Sequence, residues 1–226
     1  MTTSLPRFTR NLIDRLRRAQ FPLHPTRNTG KDEVVFIIGG GETFDTYTDY
    51  ISWLREFKLR ESKQAPSWKS WLTDQLVAHE MRVIRPSMPN TLNARYEEWE
   101  IMFEKYLALT PRAPLTLVGH SLGAMFLLKY FSLHPRLSKQ VRSVHLVAPE
   151  FEHAHSFAVT REELPNDSKF FWYQSSDDTV VPYESSSFRV AREGGLDKNR
   201  YRFFEDRGHF LDAEFSEVYE DILARR

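Results

Sequence analysis

The pentapeptide Gly119-His120-Ser121-Leu122-Gly123 follows the apolar run Leu115-Thr116-Leu117-Val118 and opens an apolar stretch that continues to Leu133. A serine hydroxyl is a weak nucleophile and reacts only when a sharp strand-to-helix turn exposes it beside a general base and backbone N–H donors. Glycines two residues before and two after have a steric cause, because such a turn leaves no room for neighbouring Cβ atoms. A shuffled chain of this composition would contain the G-x-S-x-G pattern about 0.03 times, and the flanking strand and helix strengthen the reading further.

A catalytic serine needs a base, and the base needs a group that orients it. Of the eight histidines, His209 stands in Glu205-Asp206-Arg207-Gly208-His209-Phe210, between the last expected strand and the C-terminal helix. Loops beyond the carboxyl ends of strands are where open α/β sheets gather their chemistry. His120 lies inside the elbow and cannot reach around to its neighbour's hydroxyl, so it is read as a packing or hydrogen-bonding residue. His153 and His155 form an H-x-H pair without a third ligand at a recognisable spacing, which argues against a metal site. For the acid, Ser175-Ser176-Asp177-Asp178-Thr179-Val180-Val181-Pro182 occupies another carboxyl-end loop. Either aspartate could orient the imidazole, and the other could tighten the turn.

These residues require a scaffold. Short apolar strands are expected at Val34–Ile38, Met81–Ile84, Leu115–Val118, Val141–Ala148, Lys169–Tyr173 and Tyr201–Phe204, alternating with helical segments. Apolar stripes at helical spacing run through Tyr47, Tyr50, Ile51 and Leu54, through Leu92, Tyr96, Trp99, Phe103 and Tyr106, and through Phe215, Val218, Tyr219, Ile222 and Leu223. The stretch from Leu122 to Leu133 is apolar nearly all round, as a helix buried behind the elbow must be. A further helix is expected near Tyr183. The pattern predicts a three-layer α/β sandwich with a mostly parallel sheet of about six strands.

Ser121, Asp178 and His209 stand in the chain order of the α/β-hydrolase triad. Together with the glycine turn Gly39-Gly40-Gly41, the segment Pro86-Ser87-Met88-Pro89-Asn90 and Gly208-His209-Phe210, they make the chain resemble the α/β-hydrolases. More specifically, it resembles the small serine hydrolases of the retinoblastoma-binding protein 9 type. The resemblance runs from about Val34 to the C-terminus and implies Ser121 as nucleophile, His209 as base and Asp178 as orienting acid. Asp178 is preferred because relatives place the acid four residues before a proline, matching Pro182. The resemblance also implies an oxyanion hole from the N–H of Leu122 and an N–H of the loop after the first strand. Gly39 stands where many relatives have His, which leaves that second donor between Gly41 and Gly40.

With 226 residues, 41% apolar and 27% charged, the chain has the composition of a globular domain. Thirty-one basic residues balance 31 acidic ones, so no global field recruits nucleic acid or a membrane surface. Without cysteine there is no disulfide and no thiol nucleophile, which is compatible with the cytoplasm. No apolar run has the length of a membrane span or a signal-peptide core. Residues 1–31 are rich in arginine and resemble a transit peptide; the preferred reading is a basic amphipathic helix and linker outside a single α/β-hydrolase domain at 32–226. The stretch 149–168 is too short for a full cap, although Phe151, His153, His155, Phe157 and Leu164 could form a lip or serve as loop anchors. The expectation is a serine hydrolase without metal or cofactor, acting through an acyl-enzyme on small ester, amide or peptide-like substrates at a shallow site. The alternatives are a binding protein with an idle triad and an acyltransferase.

Overall fold

The computed structural model describes residues 33–58, 67–151, 153–165 and 167–225. The N-terminal basic helix and Pro22/Pro25 linker expected from the sequence fall outside the described residues. Strands β1 (Val34–Ile38), β2 (Arg82–Ile84), β3 (Leu115–His120), β4 (Val141–Val147), β5 (Phe170–Ser175) and β6 (Tyr201–Phe204) form one sheet in the order β2-β1-β3-β4-β5-β6. Every pairing is parallel. The helices are α1 (Tyr47–Glu56), α2 (Trp68–Ala78), α3 (Tyr96–Leu107), α4 (Leu122–Leu133), α5 (Ser187–Glu193) and α6 (Ser216–Leu223).

Because side chains alternate along a strand, β1 feeds two cores at once. Val34, Phe36 and Ile38 pack with Trp99 and Phe103 of α3 and Phe126 of α4, whereas Val35 and Ile37 pack with Leu72 and Leu76 of α2 and Ile222 of α6. All five β1 residues are buried, as expected for a central parallel strand covered on both faces. Helix α4 buries nine of its 12 residues. No helix among the described residues is long and apolar enough to cross a membrane.

Two helices depart from the sequence expectation. The stripe of α1 is not buried in either core; none of its residues is buried. Its rings instead pack on one another and on the flanking residues, Phe44 against Trp53 at 5.4 Å and Trp53 against Phe57 at 4.8 Å. Leu92 does not join α3. It is exposed in a turn where Asn93 N–H bonds Asn90 O, and the helix begins at Tyr96. Helix α2 is built on Trp68, Leu72 and Leu76, which recur at helical spacing behind the N-cap Ser67.

The sheet also carries a buried polar chain. His145 Nδ1 lies 2.8 Å from Tyr173 Oη, which donates to Asp221 at 2.9 Å, and His145 Nε2 lies 3.0 Å from Ser143 Oγ. Burial pushes the His145 pKa down to about 3. Below about pH 6.5 the unfolded chain takes up a proton that the native imidazole refuses, so stability present above that pH is lost as pH falls toward 3. The expected loss is about 2 kcal/mol by pH 5. Thermal unfolding at a series of pH values should show this slope in the wild type and a smaller one in His145→Gln; equal slopes would contradict it.

Candidate active site

The strand order creates the site. From β1 the chain crosses to β2 on one side, then returns to β3 on the other, so the segments leaving the carboxyl ends of β1 and β3 diverge at a topological switch point. The first segment is Gly39-Gly40-Gly41 and the second carries Ser121.

Ser121 caps α4 with φ 55° and ψ −124°. This left-handed backbone costs a non-glycine residue about 1–3 kcal/mol and persists only where the surroundings enforce it. Here Ser121 N–H is held by Val147 O at 2.8 Å, and Ser121 O accepts the N–H groups of Ala124 and Met125. The two elbow glycines are needed for space. A Cβ on Gly119 would lie 2.6 Å from Gly123 O, and one on Gly123 would lie 2.5 Å from Gly39 O and 2.6 Å from Ile38 O. A Cβ on Gly39 would meet nothing within 4 Å. Gly123→Ala is therefore expected to destabilise by about 3 kcal/mol, since rigid backbone must move, while Gly39→Ala leaves the thermal midpoint nearly unchanged. Equal midpoints for the two variants would contradict the steric account.

His209 Nδ1 lies 2.9 Å from Asp178 Oδ2. The Asp178 side chain is 0% exposed and that of His209 10% exposed. The other Asp178 oxygen, Oδ1, accepts the N–H groups of Val180 at 2.9 Å and Val181 at 2.8 Å. The carboxylate is thus fixed in its own turn, and one oxygen faces the imidazole. With Nδ1 engaged, Nε2 is the ring nitrogen left for a hydroxyl.

Asp177 points elsewhere. It is exposed, and its Oδ1 accepts from Ser175 Oγ at 2.5 Å and from Gly208 N–H at 2.8 Å. The Ser175 hydroxyl first, then the Gly208 N–H, hold its carboxyl below the usual range. Asp177 is therefore a brace of the loop that carries His209, and Ser175 Oγ adds a second brace by accepting Arg207 N–H at 3.1 Å.

Gly40 lies against the serine, where an added Cβ would come 3.1 Å from Ser121 Cβ, and a Cβ on Gly41 would come 2.7 Å from Thr91 O. As the first residue of α4, Leu122 has an N–H without an intrahelical partner, and the positive end of the helix dipole lies at the same place. Glu42 shares the site. Burial of its carboxyl raises its pKa, and His209 pulls it back down, although the residue as a whole is exposed. A cleft of about 600 Å³, lined by Tyr50, residues 90–93, Arg95 and Glu98, adjoins this loop, since Thr91 O accepts Glu42 N–H at 2.8 Å.

Of the possible lip residues, Phe157 is a core anchor against Trp99 at 5.2 Å, and Phe151 and Leu164 pack on the same core. The H-x-H pair diverges: His153 Nδ1 lies 3.7 Å from Glu150 and His155 Nδ1 lies 2.7 Å from Asp45. Among the described residues, no group of three His, Asp or Glu side chains gathers to hold a metal ion. Near Tyr183 there is a single 3-10 turn, and the helix proper is α5. Sequence reasoning assigned no role to Lys69 or Glu42; only the fold carries Lys69 to His120 and Glu42 into the neighbourhood of His209.

The serine hydrolase family matches residues 59–214, a span that holds the elbow, both aspartates and His209. YdeN of Bacillus subtilis (strain 168) is 29% identical over 157 residues, covering 65% of this chain and 80% of YdeN. The crystal structure of the ydeN gene product superposes with a TM-score of 0.58 at 20% identity, covering 85% of this chain and 98% of that one. Est1E from Butyrivibrio proteoclasticus, solved with ferulic acid bound, gives a TM-score of 0.58 at 12% identity, covering 88% and 92%. With its six parallel strands flanked by helices and no large cap among the described residues, the chain has the α/β-hydrolase fold, and it belongs to the serine hydrolase family of hydrolytic enzymes.

Proposed function

We propose that the protein is a hydrolase of small ester or amide substrates, peptide-like ones included, acting through a Ser121 acyl-enzyme with His209 as base and Asp178 as its orienting acid. The reading is carried by the 2.9 Å contact between His209 Nδ1 and a buried Asp178 whose remaining oxygen is saturated by backbone N–H groups. Ser121 Oγ attacks the carbonyl carbon and passes its proton to His209 Nε2. The oxyanion is received by Leu122 N–H and by the N–H of Gly41 or Gly40, at the N-terminus of α4. Collapse expels the alcohol or amine, which takes the proton from His209, and water then repeats the sequence on the acyl-enzyme. Within the serine hydrolases, the glycine turn, the elbow and the acid-to-proline spacing support a likeness to the retinoblastoma-binding protein 9 type.

The short segment after β4, with its aromatic anchors turned into the core, supports a shallow site that takes short acyl groups. Steady turnover of p-nitrophenyl acetate or butyrate with an initial burst, and little release of fatty acid from long-chain triglyceride, is the expected pattern. Added methanol separates hydrolysis from transfer: free acid should remain the main product at low methanol. Efficient long-chain lipolysis, or methyl ester as the dominant product, would contradict the proposal.

A further inference from the structure

We infer that Lys69 is a positioning residue: acting through His120, it holds the backbone carbonyl of His209 and so ties the base to the residue beside the nucleophile. The inference deepens the triad reading and rests on it.

Lys69 Nζ lies 3.2 Å from His120 Nδ1, and His120 Nε2 lies 2.9 Å from His209 O. An ammonium only donates and a carbonyl oxygen only accepts, so the two contacts together select one tautomer, a bare Nδ1 and a proton on Nε2, and the ammonium fixes it by excluding a proton from Nδ1. An imidazolium would set an N–H against the ammonium. Burial first, then the charges of Lys69 and His209, hold His120 well below the usual histidine range and keep it neutral. Burial lowers Lys69 to about 8, which leaves it cationic at neutral pH.

The same turn of α2 grips the loop further on. Trp68 Nε1 donates to Phe210 O at 2.8 Å, and Trp68 N–H donates to Asp212 O at 3.0 Å. His209 sits between Gly208 at φ 48° and Phe210 at φ 52°, left-handed conformations that the surroundings must impose. Asp178 governs the ring through Nδ1 but makes no bond to the His209 backbone. His120 does, and it is covalently joined to Ser121, so its ring bond to His209 O links the backbone of the base to the residue beside the nucleophile. Lys69 keeps that ring in the tautomer able to donate.

The test compares wild type, Lys69→Met and Lys69→Arg with His209→Ala, using kcat and KM for p-nitrophenyl butyrate together with the ¹⁵N shifts of the His120 ring. The wild type should show the Nε2–H tautomer. Lys69→Met should show a mixture of tautomers and a kcat about tenfold lower with KM unchanged within twofold. Lys69→Arg should restore most of both. A pure Nδ1–H tautomer in the wild type, or an unchanged kcat in Lys69→Met beside an inactive His209→Ala, would overturn the positioning role and leave the triad standing. Full activity in His209→Ala would overturn both. Thermal unfolding of Lys69→Met separates a misplaced base from an unfolded protein: a folded variant with the kcat loss supports the inference, and a kcat loss that follows only the unfolded fraction overturns it.

Discussion

Ser121→Ala should abolish labelling by a fluorophosphonate and lower kcat by a factor on the order of 10⁶, as loss of the nucleophile does in other triads. The magnitude is large because the nucleophile and base act as a unit, and the remaining oxyanion donors contribute only residual catalysis. Nearby serines are poor substitutes. Ser175 Oγ is committed to Asp177, and Ser187 Oγ donates to Glu150 O at 2.5 Å, both in buried positions. Ser121 alone of the serines among the described residues adopts positive φ. Intact-mass detection of the phosphonate adduct, followed by peptide mapping, checks the site; labelling that survives the substitution would move the nucleophile elsewhere.

Asp178→Asn should lower kcat on the order of 10³- to 10⁴-fold while the protein stays folded. The reason lies in which oxygen does what. Oδ1 receives the N–H groups of Val180 and Val181, so an asparagine must keep its carbonyl oxygen there and turn its NH₂ toward His209. Two donors then face each other unless the imidazole moves its proton to Nε2, which is the tautomer unable to accept from Ser121. Asp177→Asn keeps an oxygen for the Ser175 hydroxyl and Gly208 N–H, so its kcat should stay within about fivefold of wild type, the cost being two weaker bonds to a neutral acceptor. Steady-state kinetics on both variants decides it: an inactive, folded Asp177→Asn with a nearly normal Asp178→Asn would transfer the orienting role by one residue.

Much of this was legible before any coordinates. The elbow is a local steric pattern, and the spaces closed to a Cβ at Gly119 and Gly123 are the reason for its glycines. All six strands were expected within two residues of their ends, because a strand buried on both faces is written as a short apolar run. The third strand runs on to His120, two residues beyond its apolar segment, since its pairing with β4 continues through Gly119 and His120. Helix α1 shows the limit of periodicity: a stripe of aromatic residues specifies a helical face but not what covers it.

Taken alone, the sequence determined the nucleophile candidate, the base candidate, two adjacent acids and an α/β sheet to carry them, since each depends on residue type and short-range spacing. The tertiary structure decided which of Asp177 and Asp178 faces His209, the gathering of Glu42 and His120 around His209 with Lys69 on His120, and the exposed position of α1. The physical reason is that adjacent carboxylates differ only in the direction the backbone gives them. Contacts such as His120 to His209, 89 residues apart in the chain, exist only once the sheet has brought its carboxyl ends together.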